Sequence, residues 1–177
     1  MDNPHCEVRV LYTRDEIRQA VQRMAAAIDR DYQGKTPLVI GVLKGSFIFM
    51  ADLVRALTVP IEIEFVWLSS YGSSTESSGK IKIGRDLLCP VEGRDVLVVE
   101  DIVDTGLTLN YLLDYIRQRK PASLRLCALV DKPSRRKATV SIDYIGFTVP
   151  DRFIVGYGLD WGEKFRCLSD LCIVEQK

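Results

Sequence analysis

Residues Val96–Asn110 read VLVVEDIVDTGLTLN, and the order of residue types within them decides the fold. Val96, Leu97, Val98 and Val99 form an unbroken aliphatic run. Such a run suits a strand buried on both faces, as in a parallel sheet. Glu100 and Asp101 follow as adjacent carboxylates, and Asp104-Thr105-Gly106 with Thr108 stands where a helix would begin. A helix start carries unpaired backbone N–H groups and a partial positive charge. Gly106 lets the backbone approach a ligand, and Thr105 and Thr108 add hydroxyls, so the turn suits a phosphate. The carboxylates suit sugar hydroxyls, or a divalent cation that itself holds phosphates. The turn as a whole predicts a site for a phosphorylated sugar.

Outward from this stretch, the bounds are those of one ordinary domain. The chain has 177 residues, and its 24 basic and 24 acidic residues cancel. Bulk charge therefore gives no sign of nucleic-acid binding. The opening MDNPHCEVRV has neither a basic n-region nor an apolar core, so it does not read as a signal peptide. Lys44, Asp52 and Arg55 interrupt the best candidate for a membrane span. Cys6, Cys89, Cys127, Cys167 and Cys172 are odd in number and lack CxxC spacing. With His5 as the single histidine, no zinc set and no histidine-based triad is available. The expectation is buried, reduced thiols in a reducing compartment.

Thr13-Arg14-Asp15-Glu16 is a capping box, followed by Ile17, Val21, Met24 and Ile28 on one helical face. Pro37–Leu43 reads as a buried strand, Lys44-Gly45-Ser46 as a turn, and Phe47–Leu57 as a helix. Ile61–Trp67 alternates like a strand with one wetter face. Residues 69–80 are small and polar, which fits a surface loop or a lid. Ile81, Ile83 and Leu87 suggest a returning strand. The helix after the phosphate turn runs to about Arg119, and Ser123–Val130 is another buried strand ending in Asp131-Lys132-Pro133. Arg135, Arg136 and Lys137 read as solvated surface. Tyr144–Phe147 and Phe153–Gly156 read as short strands.

The run of four aliphatics, an acidic pair, two aliphatics and Asp-Thr-Gly-x-Thr resembles the motif of type I phosphoribosyltransferases that binds 5-phosphoribosyl 1-pyrophosphate (PRPP). The tail, DYIGFTVPDRFIVGYGLDWGEKFRCLSDLCIV, resembles the hypoxanthine-guanine branch of that family. The resemblance implies an α/β fold with a mainly parallel sheet flanked by helices. A small hood over the base is expected mainly from residues 144–177, with the N-terminus as a further candidate for it. It implies Mg2+ as cofactor and a homodimer or homotetramer, with no nucleic-acid or membrane partner, in the cytoplasm. It assigns Thr105, Gly106, Leu107 and Thr108, with Asp104, to the 5′-phosphate. Leu107 departs from relatives that carry lysine there. Glu100 and Asp101 go to the ribose hydroxyls, directly or through magnesium. Lys44, Gly45 and Arg166 go to pyrophosphate; in relatives the peptide of this Lys-Gly turn is often cis, and the sequence leaves open whether it is so here. Lys132 is assigned to the purine 6-oxygen, Phe153 to stacking, Ile154 to the purine edge, and Asp160 to a second magnesium. Ser70 and Tyr71 match a Ser-Tyr pair of the lid. Asp104 is the expected general base. The implied activity is transfer of the phosphoribosyl group to hypoxanthine, and also guanine. The alternatives are a xanthine-preferring enzyme and a non-catalytic nucleotide-binding regulator.

Overall fold

Two apolar periodicities organise the chain, one of two residues along strands and one of about four along helices. The computed structural model describes residues 6–70, 81–85 and 87–176. In chain order the elements are β1 (Cys6–Tyr12), α1 (Arg14–Asp31), β2 (Leu38–Leu43), α2 (Phe47–Ala56), β3 (Glu62–Ser70), β4 (Ile81–Arg85), β5 (Asp95–Val103), α3 (Leu107–Arg117), β6 (Ser123–Asp131), β7 (Tyr144–Thr148), β8 (Ile154–Val155) and β9 (Leu171–Gln176). A short 3-10 turn, Pro133–Arg135, follows β6.

The main sheet has the order β4-β3-β2-β5-β6-β7, with β2, β3, β5, β6 and β7 parallel and β4 antiparallel at the edge. Val39, Leu97, Val99, Cys127 and Leu129 face α1 and α2, while Leu38, Ile40, Val96, Val98, Leu126 and Ala128 face α3. Strands covered on both sides need apolar residues at successive positions, and this is why Val96–Val99 is unbroken. Thr13 caps α1 as its box predicts: its hydroxyl accepts from Glu16 N at 3.3 Å, and Glu16 Oε2 accepts from Thr13 N at 2.8 Å.

The second sheet is antiparallel, in the order β1-β9-β8. It packs on the same core through Ile154, Tyr157, Leu159 and Leu171, and Tyr12 stacks on Phe147 at 3.9 Å. This hood draws on both ends of the described chain. The expected span of 144–177 is too wide at its start, because β7 is the edge of the main sheet. The parallel pairing of Cys127–Asp131 with Tyr144–Thr148 holds it there. The lid expectation also shifts: Ser69 and Ser70 pair with Lys82 and Ile81 as strand residues, while Tyr71 to Lys80 lie outside the described residues.

One partly exposed junction sets a stability prediction. Asp29, near the end of α1, accepts from Thr58 N at 2.9 Å, Val59 N at 3.1 Å and Thr58 Oγ1 at 2.7 Å. Burial pushes its pKa up, but the hydrogen bonds from Thr58 and Val59 together outweigh it and hold the carboxyl below its usual value. Asp29→Ala is expected to cost about 0.5–1.5 kcal/mol in urea unfolding, because two N–H groups exchange a charged acceptor for water. A folded pKa below the unfolded one stabilises above the unfolded value, and that gain is lost as pH falls through the folded pKa. The gap between wild type and variant should therefore narrow in acid below the ordinary carboxylate range.

Candidate active site

The strand order reverses between β2 and β5: β3 lies to one side of β2, and β6 and β7 lie to the other side of β5. Ligands of open α/β sheets bind at such a point, outside the carboxyl ends of the strands. Here those ends deliver Lys44-Gly45 after β2, residues 100–106 at the end of β5, and Lys132 after β6. A non-proline cis bond is present at this turn, and it joins Leu43 to Lys44.

Close backbone contact joins these pieces. A Cβ on Gly45 would lie 1.7 Å from Asp101 Oδ2, and a Cβ on Gly158, whose φ is +103°, would lie 2.1 Å from the Gly45 carbonyl oxygen. Only glycine allows the Asp101 carboxylate, the β2 turn and the hood to stack this closely. At Gly106, with φ +78°, the near neighbour is the Ala138 carbonyl oxygen, 3.0 Å from a Cβ placed there. That glycine thus serves packing against the segment after Lys132, which also donates Lys137 N and Ala138 N to the Thr105 carbonyl at 2.9 and 3.1 Å.

Three hollows meet at Asp101. One of about 280 Å³ lies over the phosphate turn and is lined by Glu100, Asp101, Asp104, Thr105, Gly106 and Thr108. Here α3 opens on Gly106 with no side-chain cap, which suits an anion at its first N–H groups. A second, of about 440 Å³, is lined by Asp101, Asp104, Lys132, Phe153, Ile154 and Asp160 among others. A third, of about 280 Å³, holds Lys44, Gly45, Asp101, Asp160, Glu163 and Arg166. The largest hollow, about 800 Å³, lies elsewhere, between α1, α2 and the hood. Its arginines Arg18 and Arg55 are already paired with Asp15 at 3.4 Å and Asp52 at 3.3 Å.

The charges in the three hollows are arranged unevenly. Lys132 is 6% exposed, with Asp151 Oδ1 3.8 Å from its ammonium. Asp104 Oδ1 is buried and lies 3.3 Å from Arg135 Nε as an ion pair, without a well-aligned hydrogen bond among the described residues. Loss of water around Glu100, and then the Asp101 carboxylate beside it, push the Glu100 carboxyl well above its usual pKa. Asp101 Oδ1 accepts from Ile102 N at 2.9 Å. Phe153 is half exposed and tilts toward Trp161 at 5.8 Å between ring centres. Ile154 is opposite Ile173, while Val174 N donates to the Phe153 carbonyl at 3.0 Å. That pattern turns the N–H and C=O of Ile154 away from β9, to the open edge of the hood sheet.

Most of the expected residues therefore converge. Leu107 is an exception: its side chain is exposed and lines none of the three hollows. Ser70 ends β3, and Tyr71 is outside the described residues. Arg135 is exposed, as its solvated reading from sequence has it, and it also pairs with Asp104 and with Asp151, the latter at 3.8 Å from Nη1. Glu163, which drew no notice in the sequence, bonds Lys44 Nζ at 3.1 Å. The thiol expectation holds only in part: Cys127 and Cys172 are buried and free, but Cys167 is exposed.

No three metal-ligating side chains come together among the described residues. Magnesium usually takes one or two carboxylates, with substrate phosphates and water completing its shell. Asp101, flanked by the hollow over the phosphate turn and the one containing Lys44 and Arg166, meets that requirement. No helix among the described residues is long and apolar enough to cross a membrane.

Known proteins share this arrangement. Residues 10–161 match the phosphoribosyl transferase domain family. A hypoxanthine-guanine phosphoribosyltransferase of Bacillus subtilis (strain 168) is 50% identical over 94% of this chain and 93% of its own. One from Aquifex aeolicus (strain VF5) is 46% identical over 96% of both chains. The crystal structure of a Bacillus anthracis hypoxanthine-guanine phosphoribosyltransferase superposes with a TM-score of 0.91 at 44% identity, over 96% of this chain and all of that one. The chain belongs to the phosphoribosyltransferase family, in its hypoxanthine-guanine branch.

Proposed function

We propose that the chain transfers the 5-phosphoribosyl group of PRPP to hypoxanthine and guanine, releasing pyrophosphate and the nucleoside monophosphate. The observation that carries this is the meeting of three chemically distinct hollows at one carboxylate, Asp101. One suits a phosphate, one a flat 6-oxo base, and one a second polyanion. The phosphoribosyl group, the purine and the leaving pyrophosphate need those three, side by side.

In this reading the backbone of Thr105–Thr108 and the hydroxyls of Thr105 and Thr108 hold the 5′-phosphate. Leu107 contributes only its N–H. Glu100 and Asp101 take the ribose hydroxyls. Lys44, the Gly45 backbone and Arg166 neutralise charge growing on the pyrophosphate. Asp101 and Asp160 would hold magnesium, which would supply further positive charge to the same leaving group. Phe153 stacks on the purine, and the outward N–H and C=O of Ile154 meet its edge. Lys132 donates to the 6-oxygen. An ammonium has donors only, so adenine's 6-amino group would stay unpaired against it. Asp104 takes the proton from the purine's imidazole ring. Free thiols at Cys89, Cys127, Cys167 and Cys172 suit a reducing, cytoplasmic setting. Large exposed apolar side chains, Phe47, Ile63 and Trp67, suit a homo-oligomer.

The deciding measurement is pyrophosphate release from magnesium PRPP with each base offered separately. Hypoxanthine and guanine are expected to turn over and adenine to give no signal above background. Preference for xanthine would keep the chemistry and change the specificity. Silence with every base, despite tight PRPP binding, would overturn the enzymatic reading of the purine hollow.

A further inference from the structure

Glu163 bridges the two cations assigned to pyrophosphate. Its Oε1 accepts from Lys44 Nζ at 3.1 Å, and its Oε2 from Arg166 Nη2 at 3.3 Å. The same Arg166 Nη2 lies 2.8 Å from Asp160 Oδ1, and Arg166 Nη1 donates to the Gly158 carbonyl at 2.8 Å. Glu163 lines the hollow that holds these groups. Its carboxyl is held below the ordinary range, chiefly by the hydrogen bond from Lys44, in keeping with an anion seated between cations.

The backbone indicates that this glutamate is there for its side chain. Trp161 N donates to the Lys164 carbonyl at 3.1 Å, and Lys164 N returns a bond to Trp161 at 3.2 Å. Between them Gly162 and Glu163 have φ of 59° and 66°. Two central residues with positive φ make a tight turn whose second place favours glycine or asparagine. Glutamate is a costly choice there, and such costs persist where the side chain has work at a site.

We infer that Glu163 is an internal competitor for pyrophosphate: its carboxylate and a pyrophosphate oxygen draw on the same donors of Lys44 and Arg166. This rests on the assignment of that hollow to pyrophosphate. The side chain of Glu163 is 65% exposed, and exposed ion pairs are weak, so a multiply charged substrate displaces it. The carboxylate keeps the two cations paired and returns to them as the product leaves, which loosens pyrophosphate and speeds its departure.

The test is calorimetric titration of the full chain with inorganic pyrophosphate and magnesium chloride. Glu163→Gln is expected to bind roughly three- to tenfold tighter, the equivalent of losing two exposed ion pairs. Glu163→Asn, which suits the left-handed backbone, should shift affinity the same way. Lys44→Ala should weaken binding, and in that background the gain from Glu163→Gln should shrink. If Lys44→Ala weakens binding but both Glu163 variants match or fall below wild type, the competitor role is overturned and Glu163 merely holds its partners. An undiminished gain in the Lys44→Ala background would also overturn it, pointing to through-space repulsion. If Lys44→Ala leaves affinity unchanged, the pyrophosphate assignment itself fails and the inference falls with it.

Discussion

Asp104→Asn is expected to lower kcat by about 10²–10⁴-fold, the usual contribution of a positioned general base. Asp104 lines both the hollow proposed for the purine and the hollow over the phosphate turn, which in that proposal puts it between the incoming base and the sugar. Its buried Oδ1 lies 3.3 Å from Arg135 Nε, an ion pair, but accepts no well-aligned hydrogen bond among the described residues. A carboxylate oxygen in that position can accept a proton from the purine ring. Asparagine keeps the shape and one carbonyl oxygen but cannot take the proton. PRPP affinity should therefore change little while turnover collapses. Steady-state kinetics with hypoxanthine, paired with calorimetric PRPP binding, separate the two effects. Turnover within a few-fold of wild type would move the base role to another group.

Lys132→Met should lower kcat/KM for hypoxanthine by roughly 30- to 1,000-fold, or about 2–4 kcal/mol. The ammonium is almost fully buried, and Asp151 lies 3.8 Å away, too far for a direct hydrogen bond. Its folding contribution should consequently be small, since replacing a buried charge with an apolar chain of similar length is often neutral or stabilising. The variant should thus melt at or above the wild-type temperature while losing its base. A parallel loss of melting temperature and activity would make Lys132 a structural residue. Retained hypoxanthine use with a normal melt would remove it from base recognition.

These residues differ in how far sequence could lead to them. The Val96–Asn110 stretch was readable because its strand, acidic pair and helix start are contiguous, and each constrains the next. Lys132 was legible only through the family resemblance: a lysine closing a buried run at a strand end suits a solvated charge at least as well as a ligand contact. Arg135 was not, because the residue that gives it a role, Asp104, is distant in sequence. Glu163 and Lys44 are separated by 119 positions, so neither one suggests the other. The same limit governs the hood. Cys6–Tyr12 alternates weakly and has no local partner; only β9 makes it a strand. Tyr144–Thr148 misled in the opposite way, since a short aromatic strand close to the tail could as well have joined either sheet.

The pairing of β1 with β9 also orders the events of synthesis. Arg9 and Glu175, which meet across that pair at 3.2 Å, are 166 positions apart. Every strand of the main sheet lies before residue 149, so the sheet's own partners emerge while β9 is still to be made. Contacts of such wide separation form late, because their loop must close before they reward it. The wall that carries Phe153 and Ile154 is therefore the last part of the molecule to assemble. A nascent chain can shape its phosphate turn well before it can recognise a base.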